Sequence, residues 1–294
     1  VSLLTQDEKR EAGRERWLAA RRRVVTSTDS PILYGQGYLG SSVAKLWGQK
    51  TGRLPEDEET YLMRRGKLSE PIMLQLYEHE TGRKVIRAAG DTLNVSEKYP
   101  WLGCSLDAVD SDGVYLELKR TTHKFRTAEE IPLRWVIQTQ HQMVVMDVPM
   151  VRLVMDQPFE MVVIEVPRNE AFIERLLVDT KEFYESLSDD HPPAPKYGVE
   201  NEGLSLLYRD LYEPGSTAEL DGLEFEPVLE ELSDVKRKQK ELEERRSLAE
   251  AKLKHALGEA EVGLFPDRPE WKVTWKKTAK GYRALRITGM EVPE

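Results

Sequence analysis

The stretch from Trp101 to Arg120, WLGCSLDAVDSDGVYLELKR, constrains the chain most, because its alternation and its turn residues together fix which side chains meet. Val114 to Lys119 reads as a strand whose period of two places Glu117 and Lys119 on one face and Leu118 on the other. Asp110-Ser111-Asp112-Gly113 has the chemistry of a turn, so Leu102 to Val109 is expected to fold back as the antiparallel partner strand. With the turn centred near Ser111 or Asp112, Asp107 falls opposite Glu117, at a Cβ separation of about 5 Å. Two carboxylates that close in a half-buried site call for a cation. The spacing equally suits a surface hairpin in which Glu117 and Lys119 form a salt bridge, and this stretch alone leaves both readings open.

A chain of 294 residues, 39% hydrophobic and 32% charged, has material for a full core and one appended module. No apolar run is long enough to span a bilayer and no secretory signal pattern is present, so an intracellular protein is expected. The single cysteine, Cys104, excludes a disulfide framework and any zinc or iron-sulfur site built from several cysteines of one chain. A net charge of -9 argues against a general polyanion-binding surface; contact with nucleic acid has to come from a local basic patch together with bound metal.

The first segment, Gln6 to Arg23, is helix-like, with Trp17 and Leu18 apolar and Arg21-Arg22-Arg23 at its end. Val24-Val25 then leave the helix, and Thr28 or Asp29 is expected to cap a second helix with Pro31 in its first turn. Such an end, with hydroxyls and a nearby arginine, suits a phosphate; it equally suits a plain cap beside a solvated arginine cluster. Glu58 to Thr81 is expected as one helix ended by Gly82, with Tyr61, Leu62, Leu68, Ile72, Met73, Leu76 and Tyr77 toward the core. Gly66 and Pro71 predict a kink or break near Glu70, which would aim that glutamate inward, although an exposed helix glutamate is the commoner case.

Ala128 to about Val145 reads as a helix with Gln138, His141 and Gln142 on one side, placed either to bond a metal-bound water or to satisfy backbone carbonyls. Two strands, Val151 to Met155 and Met161 to Val166, and a helix from Asn169 to Leu187 follow, closed by a proline-rich linker. Beyond it, Val228 to Leu257 carries a four-three seam of Val228, Leu232, Val235, Gln239, Leu242, Arg246, Ala249, Leu253 and Ala256, a helix of about 45 Å. With Gln239 and Arg246 on that seam, packing within the chain is expected rather than a dimeric coiled coil. A hairpin, Trp271 to Trp275 and Tyr282 to Ile287, ends the chain, its lysines and tryptophans suited either to single-stranded nucleic acid or to packing on the helix.

The D-x9-E-x-K spacing of Asp107, Glu117 and Lys119 is the active-site pattern of the PD-(D/E)XK nucleases, and five segments that include these residues narrow the resemblance. Trp17-x3-Arg21-x4-Thr26-Ser27-Thr28-Asp29, Gly66-Lys67-x2-Glu70, Ser105-Leu106-Asp107-Ala108, Leu116-Glu117-Leu118-Lys119 and Gln138-Thr139-Gln140 stand in order over the first two hundred residues. Together they resemble the lambda-exonuclease-like nucleases, the YqaJ-type viral recombinase group. Leu106, Ala108 and Thr28 depart from the group's proline, glycine and serine.

The resemblance implies an α/β fold, a restriction-endonuclease-like core with a mixed central sheet flanked by helices, over residues 1–213; residues 214–294 are the appendage. It implies a metal-dependent exonuclease that digests double-stranded DNA ends from 5′ to 3′ and leaves 3′ single-stranded tails for phage-type recombination by annealing. By this resemblance Asp107, Glu117 and the Leu118 carbonyl hold one or two Mg2+ or Mn2+ ions, and Lys119 orients the attacking water. Glu70 and Gln138 complete the metal shell, Arg21 and Thr28 take the 5′-terminal phosphate, and Gln140 and Trp17 are further candidates. The partners implied are duplex ends, a single-strand annealing protein and further copies of the chain, as a ring of three, in the cytoplasm of a bacterial or phage-infected cell. An endonuclease or repair nuclease of the same fold, and an inactive DNA-binding adaptor, remain alternatives.

Overall fold

The computed structural model describes residues 6–87, 92–125, 127, 130–198, 200–209 and 215–289. The chain divides into two units, Val1–Glu213 and Pro214–Glu294, each described by itself.

The first unit is built on the hairpin. Strands β5 (Ala108–Asp110) and β6 (Tyr115–Arg120) pair antiparallel with Ala108 opposite Leu116 and Val109 opposite Tyr115, and one step further along this register Asp107 faces Glu117. The turn is fixed by its own chemistry: Asp110 Oδ1 accepts from the N–H groups of Asp112 (3.0 Å) and Val114 (3.1 Å), and Gly113 takes φ 78°, a value that favours glycine. Arg152 then clamps the turn from the next strand, with ion pairs to Asp110, Asp112 and Glu165.

Around the hairpin, β2 (Val85–Arg87), β7 (Met150–Asp156) and β8 (Met161–Pro167) complete a sheet of order β2-β5-β6-β7-β8. Only β6 and β7 run parallel, so the sheet is mixed, as the resemblance implies. Their connection is the crossover helix α5 (Leu133–Met146), as parallel neighbours require. The alternation of β6 sends Leu116 and Leu118 to one face, where they pack on Met73, Leu74 and Tyr77 of α4 (Tyr61–Thr81). Glu117 and Lys119 go to the other face, under α5. A helix on each face leaves the middle strands little water.

The partner strand expected from Leu102 to Val109 is divided between two sheets. Its first part, β4 (Leu102–Cys104), pairs with β1 (Val25–Thr26) in parallel and with β3 (Asn94–Val95) antiparallel, and the chain then crosses to β5. A second core lies there, where Trp47, Leu102, Cys104, Ile137, Leu176 and Phe183 meet. It joins α3 (Val43–Lys50), α5 and α6 (Glu170–Ser186) around β4. Helix α3 has its first N–H groups capped by Glu200 of α7 (Glu200–Tyr208), at 3.0 Å to Val43 and 2.9 Å to Ala44.

Three helical expectations are corrected. Helix α4 runs unbroken through Gly66 and Pro71. Its buried residues are Ser69, Met73, Leu74 and Tyr77, while Tyr61, Leu62, Leu68, Ile72 and Leu76 are exposed. Helix α5 begins at Leu133 after Pro132, and the expected start at Ala128 lies outside the described residues. The first helix, α1 (Gln6–Arg22), ends where expected, whereas α2 (Ser30–Leu33) is a single turn with no side-chain cap from Asp29.

The second unit holds α8 (Gly222–Leu257), 36 residues long and so about 54 Å, ended at Gly258. Three antiparallel strands follow, with β10 (Lys272–Lys277) between β11 (Arg283–Thr288) and β9 (Val262–Leu264). The expected hairpin is β10 and β11, with Trp275 opposite Leu285; β9, three residues long and not read from the sequence, adds an edge. Within the second unit no residue of α8 is buried, and of its seam Leu253 is half-buried where the end of the helix meets the strands.

Candidate active site

Glu117 is 4% exposed and hydrogen-bonded on both oxygens. Its Oε1 accepts from Lys119 Nζ (2.6 Å) and Gln138 Nε2 (2.8 Å), and its Oε2 accepts from Gln142 Nε2. Gln138 and Gln142 are one helical turn apart on α5, which lays both amides over β6. Gln138 in turn accepts from Lys119 Nζ at 2.8 Å, so two of the lysine's donors are fixed. Burial alone would lower the pKa of Lys119, but Glu117, Tyr38 and Asp107 outweigh it and hold the pKa above its ordinary value. Lys119 is therefore an ammonium.

Asp107, half-buried just before β5, accepts from the Leu118 N–H at 2.8 Å through Oδ2. Burial first, and then the facing carboxylate of Glu117, push its pKa up to about 8 against the pull of the Leu118 N–H and Lys119. Glu70 on α4, half-buried, adds a smaller push of the same sign. The cluster thus has more negative charge than Lys119 balances.

Among the described residues no three His, Cys, Asp or Glu side chains are gathered as a preformed metal cluster. A Mg2+-like ion does not require one, since it is commonly held by one or two carboxylates with waters making up the rest. The donor set here is all oxygen: Asp107, Glu117 and the Leu118 carbonyl, which faces the same neighbour as its N–H in an extended strand. The buried Oε1 of Gln142 has no protein partner and is an acceptor for the hydrogens of such waters. The site fits a hard divalent cation.

A second cluster lies one short ladder away. The β1–β4 pairing, continued by Ser27 N–H to the Gly103 carbonyl at 3.1 Å, sets the turn Thr26–Asp29 beside the segment that leads into Asp107. Arg21 Nη2 donates to Thr28 Oγ1 (2.9 Å) and Thr26 Oγ1 (3.3 Å), with its guanidinium 4.6 Å from the centroid of the Trp17 ring. Asp29 turns back to accept from the Thr26 N–H (2.7 Å) and pairs with Lys50 at 2.6 Å, both side chains buried. Lys50 also donates to the carbonyls of Arg21 and Val24, each at 2.7 Å, which fixes the end of α1. Burial would raise the pKa of Asp29, but Lys50 and Arg21 hold it below the ordinary value.

His141, on α5 between the two clusters, ties them together. Its Nε2 lies 3.0 Å from the Gly103 carbonyl, so that nitrogen carries the proton, and Nδ1 accepts from Ser30 Oγ at 2.7 Å. Burial pushes its pKa down to about 4, so the ring is neutral. The Cys104 thiol nearby is pushed up to about 12 by burial and Glu117, and is inert.

Of the residues singled out in the sequence, Asp107, Glu117, Leu118, Lys119 and Gln138 meet directly, with Glu70 acting on Asp107 through its charge. Arg21 and Thr28 form the second cluster, with Trp17 as the platform for Arg21. Gln140 is on the opposite side of α5, bonding the Pro167 carbonyl and the Asn169 N–H at 2.8 Å each, and takes no part in either cluster. Gln142, read from its turn spacing as sharing the side of Gln138, bonds the Glu117 carboxylate. Lys50 was not expected, and as the final residue of an unremarked helix it gave no signal.

No described helix is long and apolar enough to cross a membrane. Residues 16–149 match the model of the YqaJ-like viral recombinase domain. The Bacillus subtilis (strain 168) protein described as uncharacterized protein YqaJ is 25% identical over 280 residues, covering 90% of this chain and 84% of that protein. The crystal structure of an alkaline exonuclease, LHK-Exo, from Laribacter hongkongensis aligns with TM-score 0.47 and 20% identity, over 67% of this chain and 100% of that one. That of a phage related exonuclease from Haemophilus somnus 129PT aligns with TM-score 0.46 and 11% identity, over 56% and 94%. The matched segment, residues 16–149, holds every residue of both clusters and is similar to the YqaJ-like viral recombinase domain.

Proposed function

We infer that the chain is a DNA exonuclease that uses a divalent cation to digest duplex ends from 5′ to 3′, leaving 3′ single strands for annealing. The observation that carries this reading is the facing of Asp107 and Glu117 across the β5–β6 hairpin with Lys119 held beside them, inside a segment that matches a viral recombinase domain. The names of the structures it resembles, an alkaline exonuclease and a phage related exonuclease, support the same class.

Asp107, Glu117 and the Leu118 carbonyl would hold the cation, with the Glu70 carboxylate of α4 as a further candidate ligand. Mg2+ or Mn2+ supplies a bound water of lowered pKa and neutralises charge growing on the phosphate. Gln138 and Gln142 hold the Glu117 carboxylate in one orientation. Lys119 points its third donor at the attacking water and, as a lasting ammonium, stabilises the charge that develops rather than removing a proton. Arg21, with the hydroxyls of Thr26 and Thr28, takes the 5′-terminal phosphate as a charge-assisted ligand. That contact gives direction to a site whose chemistry is indifferent to strand polarity.

Three substrates test the reading with Mg2+ present: linear duplex with 5′ phosphates, the same duplex with 5′ hydroxyls, and closed circles. The 5′-phosphorylated duplex is expected to be digested fastest and the circle left intact. Rapid nicking of circles would make the protein an endonuclease, and absence of any cleavage would make it an adaptor.

A further inference from the structure

The 36 residues of α8 bury none of their side chains, which is unusual because most helices owe their stability to a packed face. Val228, Leu232, Val235 and Leu242 are 53%, 49%, 43% and 59% exposed, and they lie on one seam at alternating four and three spacing. In heptad terms Phe225, Leu232, Gln239 and Arg246 take position a, and Val228, Val235, Leu242 and Ala249 take position d. The seam runs unbroken for three heptads. Within the second unit the last turns of the helix meet the strands, Leu257 approaching Gly263 of β9.

The flanking charges say what covers this seam. Position g holds Glu231, Lys238 and Arg245, and position e, five residues on in each case, holds Lys236, Glu243 and Glu250. In a parallel pair of helices position g of one faces the following e of the other. The contacts are then Glu231 with Lys236, Lys238 with Glu243, and Arg245 with Glu250, each of opposite sign and each made twice. Antiparallel helices instead oppose g to g and e to e. With the seams aligned end to end, Phe225 opposite Ala249, that leaves only Glu231 against Arg245 of opposite sign, sets Lys238 against Lys238 and Lys236 against Lys236, and puts Glu243 against the apolar Leu229.

The polar seam residues fit two strands. Arg246 already bonds Glu243 (2.7 Å) and reaches Glu250 (3.7 Å) on its own helix, so its charged head leans outward while its stem lies on the seam. Two such heads diverge at the flanks of a pair, whereas three would converge on the axis of a trimer. Gln239 meets its own copy, where two amides can bond each other; a polar residue at one a position fixes register at a cost in stability.

We propose that α8 is a self-association element: residues from about Phe225 to Glu250 form a parallel two-stranded coiled coil with a second copy of this chain. The pairing depends on the second unit alone and stands apart from the nuclease reading of the first. It brings two first units onto one arm, so that one DNA molecule meets two copies.

The test is sedimentation of the full chain at micromolar concentration, for the wild type and for two charge-exchanged variants. Lys236→Glu with Lys238→Glu sets like charge at two of the three facing pairs, and so does Glu231→Lys with Glu243→Lys. Each variant alone is expected to self-associate at least tenfold more weakly than the wild type. An equimolar mixture is expected to regain the wild-type mass, because every exchanged contact is complementary again between the two kinds of chain. This recovery also shows that both variants are folded. A wild type that sediments as a monomer, variants that associate as strongly as the wild type, or a mixture that stays dissociated would each overturn the proposal.

Discussion

Asp29 and Asp107 are both aspartates pressed into the interior of the first unit, and their pKa values move in opposite directions. Around Asp29 the charges balance: Lys50 pairs with it, Arg21 stands near, and every donor of Lys50 has an acceptor. Around Asp107 they do not, because Glu117 and Glu70 repel it and Lys119 is committed to Glu117 and Gln138. The difference separates a charge-balanced scaffold from a site that is left with unbalanced negative charge, as the proposed cation would require. Burial raises both pKa values; the sum of neighbouring charge decides their directions.

The sharpest way to break this comparison is to remove one cation from each cluster. Lys119→Met is expected to lower the rate of DNA digestion by about 10²- to 10³-fold, the size of effect seen when one preorganised electrostatic stabiliser is lost, and to cost less stability than Lys50→Met because the amides of Gln138 and Gln142 still bond the Glu117 carboxylate. Lys50→Met should do the opposite. It leaves Asp29 buried without its partner, so a loss of about 3–5 kcal/mol of stability is expected in denaturant titration, and activity in the surviving folded fraction should persist.

The next effect is in pH. His141 has its pKa depressed to about 4 from 6.5, so the unfolded chain binds a proton in that window that the folded chain does not. The stability contribution is complete above the unfolded value and is lost as pH falls toward the folded one, by about 3 kcal/mol. His141→Gln should flatten the part of the stability profile between pH 6.5 and 4 that belongs to this ring. An unchanged slope would mean that the ring is not buried neutral between Ser30 and Gly103.

The smallest expected effect belongs to Arg21, which sits at the edge of its cluster and half-exposed. Arg21→Ala is expected to narrow the preference for 5′-phosphorylated over 5′-hydroxyl ends by about tenfold, the worth of one charge-assisted contact. Digestion of hydroxyl ends should stay as it is. Equal losses on both ends would make Arg21 part of the scaffold with Lys50 instead.

What the sequence disclosed about these clusters follows from local geometry. The register that sets Asp107 against Glu117 was legible because a period of two and an Asp-Ser-Asp-Gly turn are local rules. The α5 amides over Glu117 were legible for the same reason, as i and i+4 partners. The split of Leu102 to Val109 between two sheets was not, since β4 chooses its partners, Val25–Thr26 and Asn94–Val95, from distant parts of the chain. Lys50 was hidden likewise, as its acceptors lie on α1 and the turn after it. The apolar residues of α4 misled because periodicity tells which side chains share a face, not which face the sheet covers. In α8 the helix and its seam were legible from a local four-three spacing, whereas what covers the seam is a matter of the e and g charges, which the spacing of Gln239 and Arg246 does not express.

The account rests on Asp107 and Glu117 acting together to hold the cation, and the most direct measurement is Mg2+-dependent release of nucleotides from linear duplex DNA by the wild type and by Asp107→Asn at equal folded concentration. Asparagine keeps the shape and removes the charge, and it also removes the repulsion from Glu117, so the variant should be at least as stable as the wild type. The account predicts a folded protein with no measurable digestion. Digestion at the wild-type rate by Asp107→Asn would contradict it and place the chemistry elsewhere in the molecule.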